Sequence, residues 1–350
     1  TCALPIYKYL NVNHRLYNYK NLRVAIKKIS SLKRYEKKRE IDIVMFPSHA
    51  LSPILKILRA NFVVLDAGWS LYEGEIVSRK KYGILFYRYV LFYLLDFLAA
   101  HCADLILLES QRQIDYYSKK FMIKRIKCAV LPTGLVESRF RRYSVEKSKE
   151  FQIFFRGKFT NEAGLEVLAR ASFSLADLPI RFLIHAPGIP EKIEFSRNSS
   201  IKTGTLGDLE LSKMYCSSDL VLGQLSSHQR LTRTIPHKAF ECSFFGKPYL
   251  TSRMTGIKEL FEENTEILCF NPGDSQDLVS KVLKECEMYK AKDKIIKFNS
   301  LSMEERITVI ESLPSHIAIA VLKNFFNVEQ ELNKNHLLLI KSPYANVIAA

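Results

Sequence analysis

Basic side chains are concentrated around a stretch where the sequence predicts the start of a helix. They are Arg230, Arg233, His237 and Lys238. Pro236 suits the first helical position, because a residue there needs no backbone N–H for the helix. The N-terminus of a helix carries unpaired amides and a partial positive charge, so cations there are repelled unless an anion lies between them. A diphosphate would resolve this conflict, and anion binding is the chemistry that the pattern indicates.

Glu241 follows Lys238 by three residues on the same predicted helix. With a rise of about 1.5 Å per residue, its carboxylate lies roughly one turn further along the axis. There it is placed to accept two hydrogen bonds from the hydroxyl groups of a ribose. The alternative is that Lys238 and Glu241 form a surface pair worth roughly a few tenths of a kcal/mol. Gly246 suits a left-handed helix cap, and Pro248 prevents the helix from continuing.

Short apolar runs alternate with helical patterns along the chain, which predicts parallel sheets with crossover helices. The predicted strands are residues 43–46, 62–65, 105–108, 129–131, 152–155, 181–185, 219–222, 248–251 and 267–270. The 350 residues are too many for one ordinary α/β domain and suit two. Residues 139–150 are charged and lack apolar periodicity, which is typical of an interdomain linker.

Six blocks of the sequence resemble, in order, the retaining, metal-independent glycosyltransferases of family 4 (glycosyl transferases group 1). The signature "P-x-K-x-x-E-x-x-x-x-G-K-P" is matched by Pro236, Lys238, Glu241, Gly246, Lys247 and Pro248. The other blocks are residues 131–135 (LPTGL), 154–158 (FFRGK), 202–206 (KTGTL) continued by 211–219, 256–260 (GIKEL) and 271–274 (NPGD). The resemblance covers roughly residues 100–290, and the joint order of the blocks is more specific than any one of them.

The resemblance implies an α/β GT-B fold, with two Rossmann-like domains facing a cleft. We expect a first, acceptor-side domain at residues 1–145, N-terminally incomplete, because residues 1–42 lack the opening strand and glycine turn. A donor-binding domain follows at 146–300. One or more helices are expected at 301–335, with a return to the first domain left open, and residues 336–350 fit no pattern.

The resemblance also assigns donor-binding roles. Glu241 would hold the ribose, and Lys238 belongs to the same signature. Arg156, Gly157 and Lys158 would face the diphosphate, Gly204, Thr205 and Leu206 would lie by the base, and Ile257 and Lys258 near the phosphates. In such a site cationic side chains bind the diphosphate in place of a metal ion. We therefore expect no metal and no cofactor beyond a nucleotide-sugar co-substrate.

Two positions depart from the family. A glutamate that usually contacts the transferred sugar is replaced by Arg233, and a phosphate-binding lysine is replaced by Ala163, before Gly164. We expect Arg230 or Arg233 to supply the lost charge, since both precede the same helix.

Acceptor-side candidates follow the predicted strands, where sites lie in open α/β sheets. Asp66 comes after the strand at 62–65, as a candidate to orient an acceptor hydroxyl or to cap a helix. His49 is a candidate acid/base, the alternative being a loop histidine bonded to backbone. The resemblance implies transfer of a hexosyl group with retention to a saccharide or lipid-linked acceptor, of the kind used in surface polysaccharide biosynthesis.

The charge of the chain is uneven. Residues 1–150 carry a net charge of +15 and the remaining residues +1, for a total of +16. This favours an anionic partner for the first half. The aromatic stretch at 82–100, preceded by Arg79, Lys80 and Lys81, predicts either an interfacial membrane helix or a core helix. It is too interrupted to span a bilayer, so we expect a cytoplasmic protein, either free or at the inner face of the cytoplasmic membrane.

The seven cysteines and eight histidines lack ligand spacing, which favours reduced thiols and argues against a metal site. Two other functions stay open. One is another GT-B reaction on a sugar nucleotide, such as epimerisation. The other is a catalytically silent GT-B scaffold or a nucleic-acid binder, although no nucleic-acid-binding motif is present, and we expect no nucleic-acid partner.

Overall fold

The computed structural model describes residues 41–59, 62–77, 86–146 and 148–299. Residues 1–40, the predicted helices at 301–335 and the residues from 336 onward lie outside these ranges. The structure consists of two separate parallel sheets flanked by helices, as the alternating pattern predicts. We call the unit around the first sheet the first domain and the unit around the second sheet the second domain.

The first domain contains a four-stranded sheet in the order β1-β2-β3-β4. Its strands are β1 (Ile41–Met45), β2 (Phe62–Gly68), β3 (Leu105–Leu108) and β4 (Cys128–Val130). The helices are α1 (Leu51–Arg59), α2 (Phe86–Cys102) and α3 (Gln111–Phe121). Every neighbouring strand pair is parallel, so the carboxyl ends of all four strands lie at one edge of the sheet.

The second domain contains a six-stranded sheet in the order β10-β9-β8-β5-β6-β7. Its strands are β5 (Phe151–Arg156), β6 (Ile180–His185), β7 (Ser199–Lys202), β8 (Leu220–Leu222), β9 (Tyr249–Ser252) and β10 (Leu268–Phe270). The helices are α4 (Leu165–Ser174), α5 (Asp208–Ser217), α6 (His237–Phe245) and α7 (Ser275–Asn299). The order changes direction at β5, and ligands of open α/β sheets bind beside such a switch point.

Alternation along β5 explains why this sheet is covered on both faces. Ile153 and Phe155 pack into a cluster with α4 and α7, whereas Phe154 packs into a cluster with α5 and α6. Successive side chains of a strand point to opposite faces. A strand that is apolar on both faces belongs in the centre of a parallel sheet, which is where β5 lies.

The helix α6 begins and ends close to the predicted positions. Pro236 is the N-cap residue rather than the first helical residue, so α6 begins one position later than predicted, within the usual uncertainty of a helix boundary. Gly246 adopts φ 62° and donates its N–H to carbonyls of the last turn, Cys242 and Ser243, as predicted. The strand β7 was not predicted, because its sequence SSIK is short, polar and at the edge of the sheet.

Candidate functional site

A cavity of about 330 Å³ lies between the two domains. Phe46, Pro47 and Trp69 line it from loops that follow β1 and β2. Glu162 and Gln224 line it from loops that follow β5 and β8 of the second sheet. Both domains therefore contribute the carboxyl ends of their strands to one cleft, which is the position expected for a ligand in parallel α/β folds.

Arg230 forms the wall of this cavity where the domains meet. Its Nη1 lies 3.2 Å from Oε1 of Glu162 in the second domain, and its Cζ lies 5.2 Å from the ring centroid of Trp69 in the first domain. A guanidinium over an indole ring is attracted by the ring's negative face. The prediction that Arg230 supplies positive charge beside a ligand is consistent with its place in the lining, although Glu162 balances part of that charge.

Glu241 lies at the centre of a buried polar cluster on α6, with 1% of its surface exposed. Its Oε1 accepts from Arg156 Nη2 at 2.8 Å and lies 2.9 Å from His237 Nδ1. Its Oε2 accepts a hydrogen bond from the hydroxyl group of Tyr215. Burial alone would raise the pKa of Glu241, but these hydrogen bonds and the charge of Arg156 hold it below its ordinary value. A ribose would have to displace one of these partners to reach the carboxylate.

Lys238, on the first turn of α6, is also buried. Its Nζ donates to the carbonyl oxygen of Gly223 at 3.0 Å and lies 4.6 Å from the ring centroid of Phe155. Burial, and next the nearby charge of Arg156, lower its pKa to about 7. Burial destabilises the charged form of the ammonium group, and a nearby anion stabilises it. Lys238 is therefore suited to bind a phosphate at the mouth of the cluster.

The two turns that follow β5 and β6 approach each other beside this cluster. Gly157 donates its N–H to the carbonyl oxygen of His185 at 2.9 Å, and an added Cβ at Gly157 would lie only 3.1 Å from the Phe155 ring. Nε2 of His185 lies 2.7 Å from the carbonyl oxygen of Gly204. His185 thereby ties the turn after β5 to the segment Gly204, Thr205 and Leu206, the predicted base-binding loop. Lys158 follows Gly157 and is exposed.

Ile257 and Lys258 lie in a short 3₁₀ helix after β9. Ile257 is buried in the apolar cluster that includes α5 and α6. Nζ of Lys258 lies 2.6 Å from Oε2 of Glu263, so a carboxylate already balances its charge. The structure thus places Ile257 in the core and Lys258 in a surface ion pair.

Arg233 points to the first domain. Its Nη2 pairs with Oε1 of Glu73, and its Cζ lies 4.2 Å from the ring centroid of Tyr116. The structure therefore brings Arg233 to an acidic partner rather than to the cluster around Glu241. Nothing in the sequence pattern signals this pair, because 160 positions separate the two residues.

The two acceptor-side candidates lie below the cleft surface. His49 is completely buried, with Nε2 3.6 Å from Oδ1 of Asp96, and burial lowers its pKa to about 4. His49 does not line the cavity itself, and its ring centroid lies 5.8 Å from that of Phe46, which does. Its role as an acid/base stays a prediction. Asp66 is nearly buried, and burial raises its pKa to about 6. Its neighbours Leu65 and Ala67 pack into the first domain's core, so Asp66 lies on the opposite face of β2.

Sequence reasoning missed the acidic residues that organise the cleft. Glu73 and Asp96 are buried in the first domain, and Glu162 is buried in the second. Each pairs with a residue of a distant element, Arg233, Ser70 and Arg230 respectively. A buried carboxylate needs such a partner, but the sequence does not show which element supplies it.

Residues 166–297 match a family model described as glycosyl transferase-like. The chain is a glycosyltransferase. Its fold is GT-B, which confirms the α/β prediction with two Rossmann-like units. Comparison with curated protein sequences gave no match.

Solved structures with the same fold include the following three, and each has low sequence identity to this chain. HepE of Anabaena in complex with UDP-glucose has a TM-score of 0.58 and 12% identity, covering 77% of this chain and 72% of that one. Sucrose-phosphate synthase from Thermosynechococcus elongatus has a TM-score of 0.55 and 13% identity, covering 70% and 63%. The E. coli trehalose-6-phosphate protein bound with UDP-2-fluoro glucose has a TM-score of 0.52 and 13% identity, covering 89% and 75%.

Proposed function

We propose that this glycosyltransferase moves a hexosyl group from a UDP-sugar to a saccharide or lipid-linked acceptor, with retention and without a metal ion. The observation that carries the proposal is the buried cluster at the start of α6. There Arg156, His237 and Lys238 surround Glu241, next to the turn after β5. These three side chains can offer the positive charge that a leaving diphosphate requires. The uridine base is proposed because HepE and the E. coli protein are bound to uridine nucleotides.

In the proposed reaction, the bond between the anomeric carbon of the sugar and the diphosphate oxygen breaks. A new bond to the acceptor oxygen forms on the same face of the sugar. The acceptor proton passes to the leaving diphosphate, so the step needs no protein base. This fits the placement of His49, which has no exposed surface. The cavity beside Trp69 and Arg230 is proposed as the place where the acceptor meets the donor sugar.

Nucleotide binding tests the donor half of the proposal. We expect UDP to raise the midpoint of thermal unfolding more than GDP or ADP does. One site at a hundredfold excess of ligand over Kd stabilises a protein by about 2.7 kcal/mol. The Lys238→Met variant should show a smaller rise, whereas Lys213→Met, on an exposed position of α5, should keep the full response. A chain that responds to none of the three nucleotides would refute the donor proposal.

Product analysis tests the reaction. With a UDP-hexose and a mixture of saccharide acceptors, we expect release of UDP together with a glycoside that has the anomeric configuration of the donor. A product of inverted configuration would refute retention, and turnover that is lost with EDTA would refute metal independence. Recovery of an epimerised UDP-sugar would indicate the other GT-B reaction, and UDP binding without any product would indicate a silent scaffold.

We also propose that the acceptor is lipid-linked and reached at an anionic membrane surface, as in the synthesis of surface polysaccharides. One face of α2 packs into the core through Ala99 and Ala100. Its outer face exposes apolar side chains at helical spacing, namely Tyr87, Leu91, Leu94 and Leu98, with 45–65% of their surface exposed. This stripe, in a half of the chain with a net charge of +15, suits a helix lying in the headgroup region. No helix among the described residues is long and apolar enough to cross a membrane.

Vesicle flotation tests the membrane proposal. The chain should float with vesicles containing anionic lipid, less so at high salt, and hardly with purely zwitterionic vesicles. Replacing Leu91 and Leu94 together by Glu should abolish flotation, while Ile201→Glu, at an exposed apolar position of the second domain, should not. Equal binding by the double variant and the wild type would refute the role of α2.

A further inference from the structure

Side chains of both domains form a continuous polar contact beside the cavity. We call this contact the seam and define it by Glu73 and Ser110 of the first domain and Arg233 and Glu259 of the second. Glu73 belongs to the turn after β2, and Ser110 is the N-cap of α3. Arg233 follows a short 3₁₀ helix before α6, and Glu259 ends another after β9.

Arg233 is held by the first domain through both its side chain and its backbone. The guanidinium pairs with Glu73 and lies over the ring of Tyr116. The carbonyl oxygen of Arg233 accepts a hydrogen bond of 2.6 Å from Oγ of Ser110. Only 19% of the Arg233 side chain is exposed. A side chain engaged in this way is committed to the opposite domain and is not available to a sugar in the cavity.

Glu73 is itself fixed in place by the first domain. Its Oε2 accepts from Nε2 of Gln113 at 3.1 Å, and only 1% of its surface is exposed. The turn that carries Glu73 is anchored by the buried carboxylate of Asp96, which accepts hydrogen bonds from the hydroxyl of Ser70 and the N–H groups of Leu71 and Tyr72. Glu73 is therefore oriented by its own domain and points to the other one.

Glu259 forms a second polar contact across the cleft, in which the carboxylate belongs to the second domain and the donors belong to the first. Its carboxylate accepts from the N–H groups of Gln111 at 2.7 Å and Arg112 at 3.0 Å. These amides lie at the N-terminus of α3, where a helix favours negative charge. A carboxylate of the second domain therefore accepts hydrogen bonds from the N–H groups at the start of a helix of the first domain.

The seam fixes one relative position of the domains. Placing Glu73 and Arg233 away from water is costly unless they meet with correct geometry. A shift of one domain against the other by an ångström or two would break the Glu73–Arg233 pair and both Glu259 hydrogen bonds together. Charged and polar groups in an interface act in this way to set register more than to add affinity.

We propose that Glu73 is a positioning residue of this enzyme. By holding Arg233 it keeps the cleft closed before a donor binds, and it keeps Arg230 and Thr234 on the wall of the cavity. Arg233 occupies the position where the resemblance to family 4 implies a contact with the transferred sugar, so here that position serves domain closure. The expected effect on turnover rests on the proposed glycosyl transfer, whereas the effect on domain position does not.

The test is a double-mutant cycle with Glu73→Gln, Arg233→Gln and the combined variant, compared with Asp115→Asn as a control. Asp115 lies on α3 in an exposed ion pair with Arg125 that does not cross the cleft. Small-angle X-ray scattering without any nucleotide reports domain separation. Circular dichroism shows that each variant is folded, and steady-state kinetics separates kcat from KM.

We expect each seam variant to have a larger radius of gyration than the wild type. We expect its kcat to fall by about tenfold to a hundredfold, the size of a small misplacement of reacting groups, with a UDP dissociation constant within about threefold of the wild type. The combined variant should lose no more than the more affected single variant, because both remove one contact. Unchanged scattering, or losses that multiply in the combined variant, would overturn the inference. If the variants have a larger radius of gyration but the wild type itself shows no detectable turnover, the result would support the seam and count against the proposed reaction.

Discussion

Nη2 of Arg156 donates a hydrogen bond of 2.8 Å to Oε1 of Glu241, and this pair joins the central strand of the second domain to the helix α6. Arg156 is the last residue of β5, and 27% of its side chain is exposed. The carboxylate beneath it is buried. Glu241 thus holds a guanidinium at the cleft surface, where it can contact a bound anion.

The Glu241→Gln variant tests this pair. Glutamine keeps the volume but loses the charge that orients Arg156. It also replaces one of the two oxygens that accept from Arg156 and Tyr215 by an NH2 group, which donates. Leaving a buried donor without its acceptor costs about 1–3 kcal/mol, so we expect that loss in urea denaturation. UDP binding measured by calorimetry should also weaken. Glu210→Gln, in an exposed pair with Lys202, should change neither quantity, and a Glu241→Gln protein with wild-type UDP affinity would contradict this role.

Proton uptake should accompany nucleotide binding through Lys238. Its pKa is lowered to about 7, so part of the population carries an unprotonated amine near neutral pH. A bound diphosphate favours the ammonium form and raises the pKa, so affinity should fall as the pH rises from 6 to 8. Calorimetry in buffers of different ionisation enthalpy measures the protons taken up. The uptake should disappear in Lys238→Met, and an uptake that persists in that variant would assign the proton to another group.

Glu109 should make the stability of the protein depend on pH. The side chain is fully buried beside Arg230, and burial raises its pKa to about 8 from an unfolded value near 4.5. The unfolded chain therefore releases this proton at a lower pH than the folded chain does. The stability that it contributes is complete below about pH 4.5 and is lost as the pH rises to about 8.

The Glu109→Gln variant resembles the protonated acid at every pH. We expect it to be more stable than the wild type at pH 8 to 9, with a flatter dependence of the free energy of unfolding on pH. Urea denaturation at several pH values provides the measurement. Parallel curves for the two proteins between pH 5 and 9 would show that Glu109 is ionised in the fold.

Gly223 should not tolerate a side chain. An added Cβ would overlap the hydroxyl group of Tyr249 and the side chain of Thr251, and the carbonyl of Gly223 is the acceptor for Lys238. Overpacking of this kind costs about 1–3 kcal/mol. We expect Gly223→Ala to lower the thermal midpoint and to weaken UDP binding, because Lys238 shifts with its acceptor. Gly134→Ala, where nothing lies within 4 Å of the added carbon, should be nearly neutral.

Local patterns in the sequence predicted the elements that carry the donor-side candidates. The alternation of apolar runs and helical stretches gave nine of the strands, and Pro236 and Gly246 bounded α6 to within one residue. These features depend on neighbouring residues only, through helix-terminus preferences and side-chain alternation. The strand β7 was not predicted because its sequence SSIK lacks the apolar residues that indicate a strand.

The contacts between the domains could not be predicted in the same way. Arg233 was expected to face a diphosphate, yet it pairs with Glu73 across 160 positions. His49 is a candidate acid/base in the sequence, with a loop histidine bonded to backbone as the alternative, and the structure buries it beside Asp96. Both outcomes depend on which distant carboxylate packs nearby, and charge pairing between remote elements has no periodicity that a sequence could show. The roles assigned to Lys158, Ile257, Lys258 and the residues 204–206 stay predictions.

The chain contains one tryptophan, and that residue is Trp69. Its ring lies 5.2 Å from Arg230 Cζ of the opposite domain and 4.7 Å from the ring centroid of Phe46 on the cavity wall. The intrinsic fluorescence of the unmodified protein therefore comes, for tryptophan, from a single point in the cleft. Its emission wavelength and its accessibility to quenchers report the wetting of that point, so ligand entry and domain separation can be followed in real time without a label.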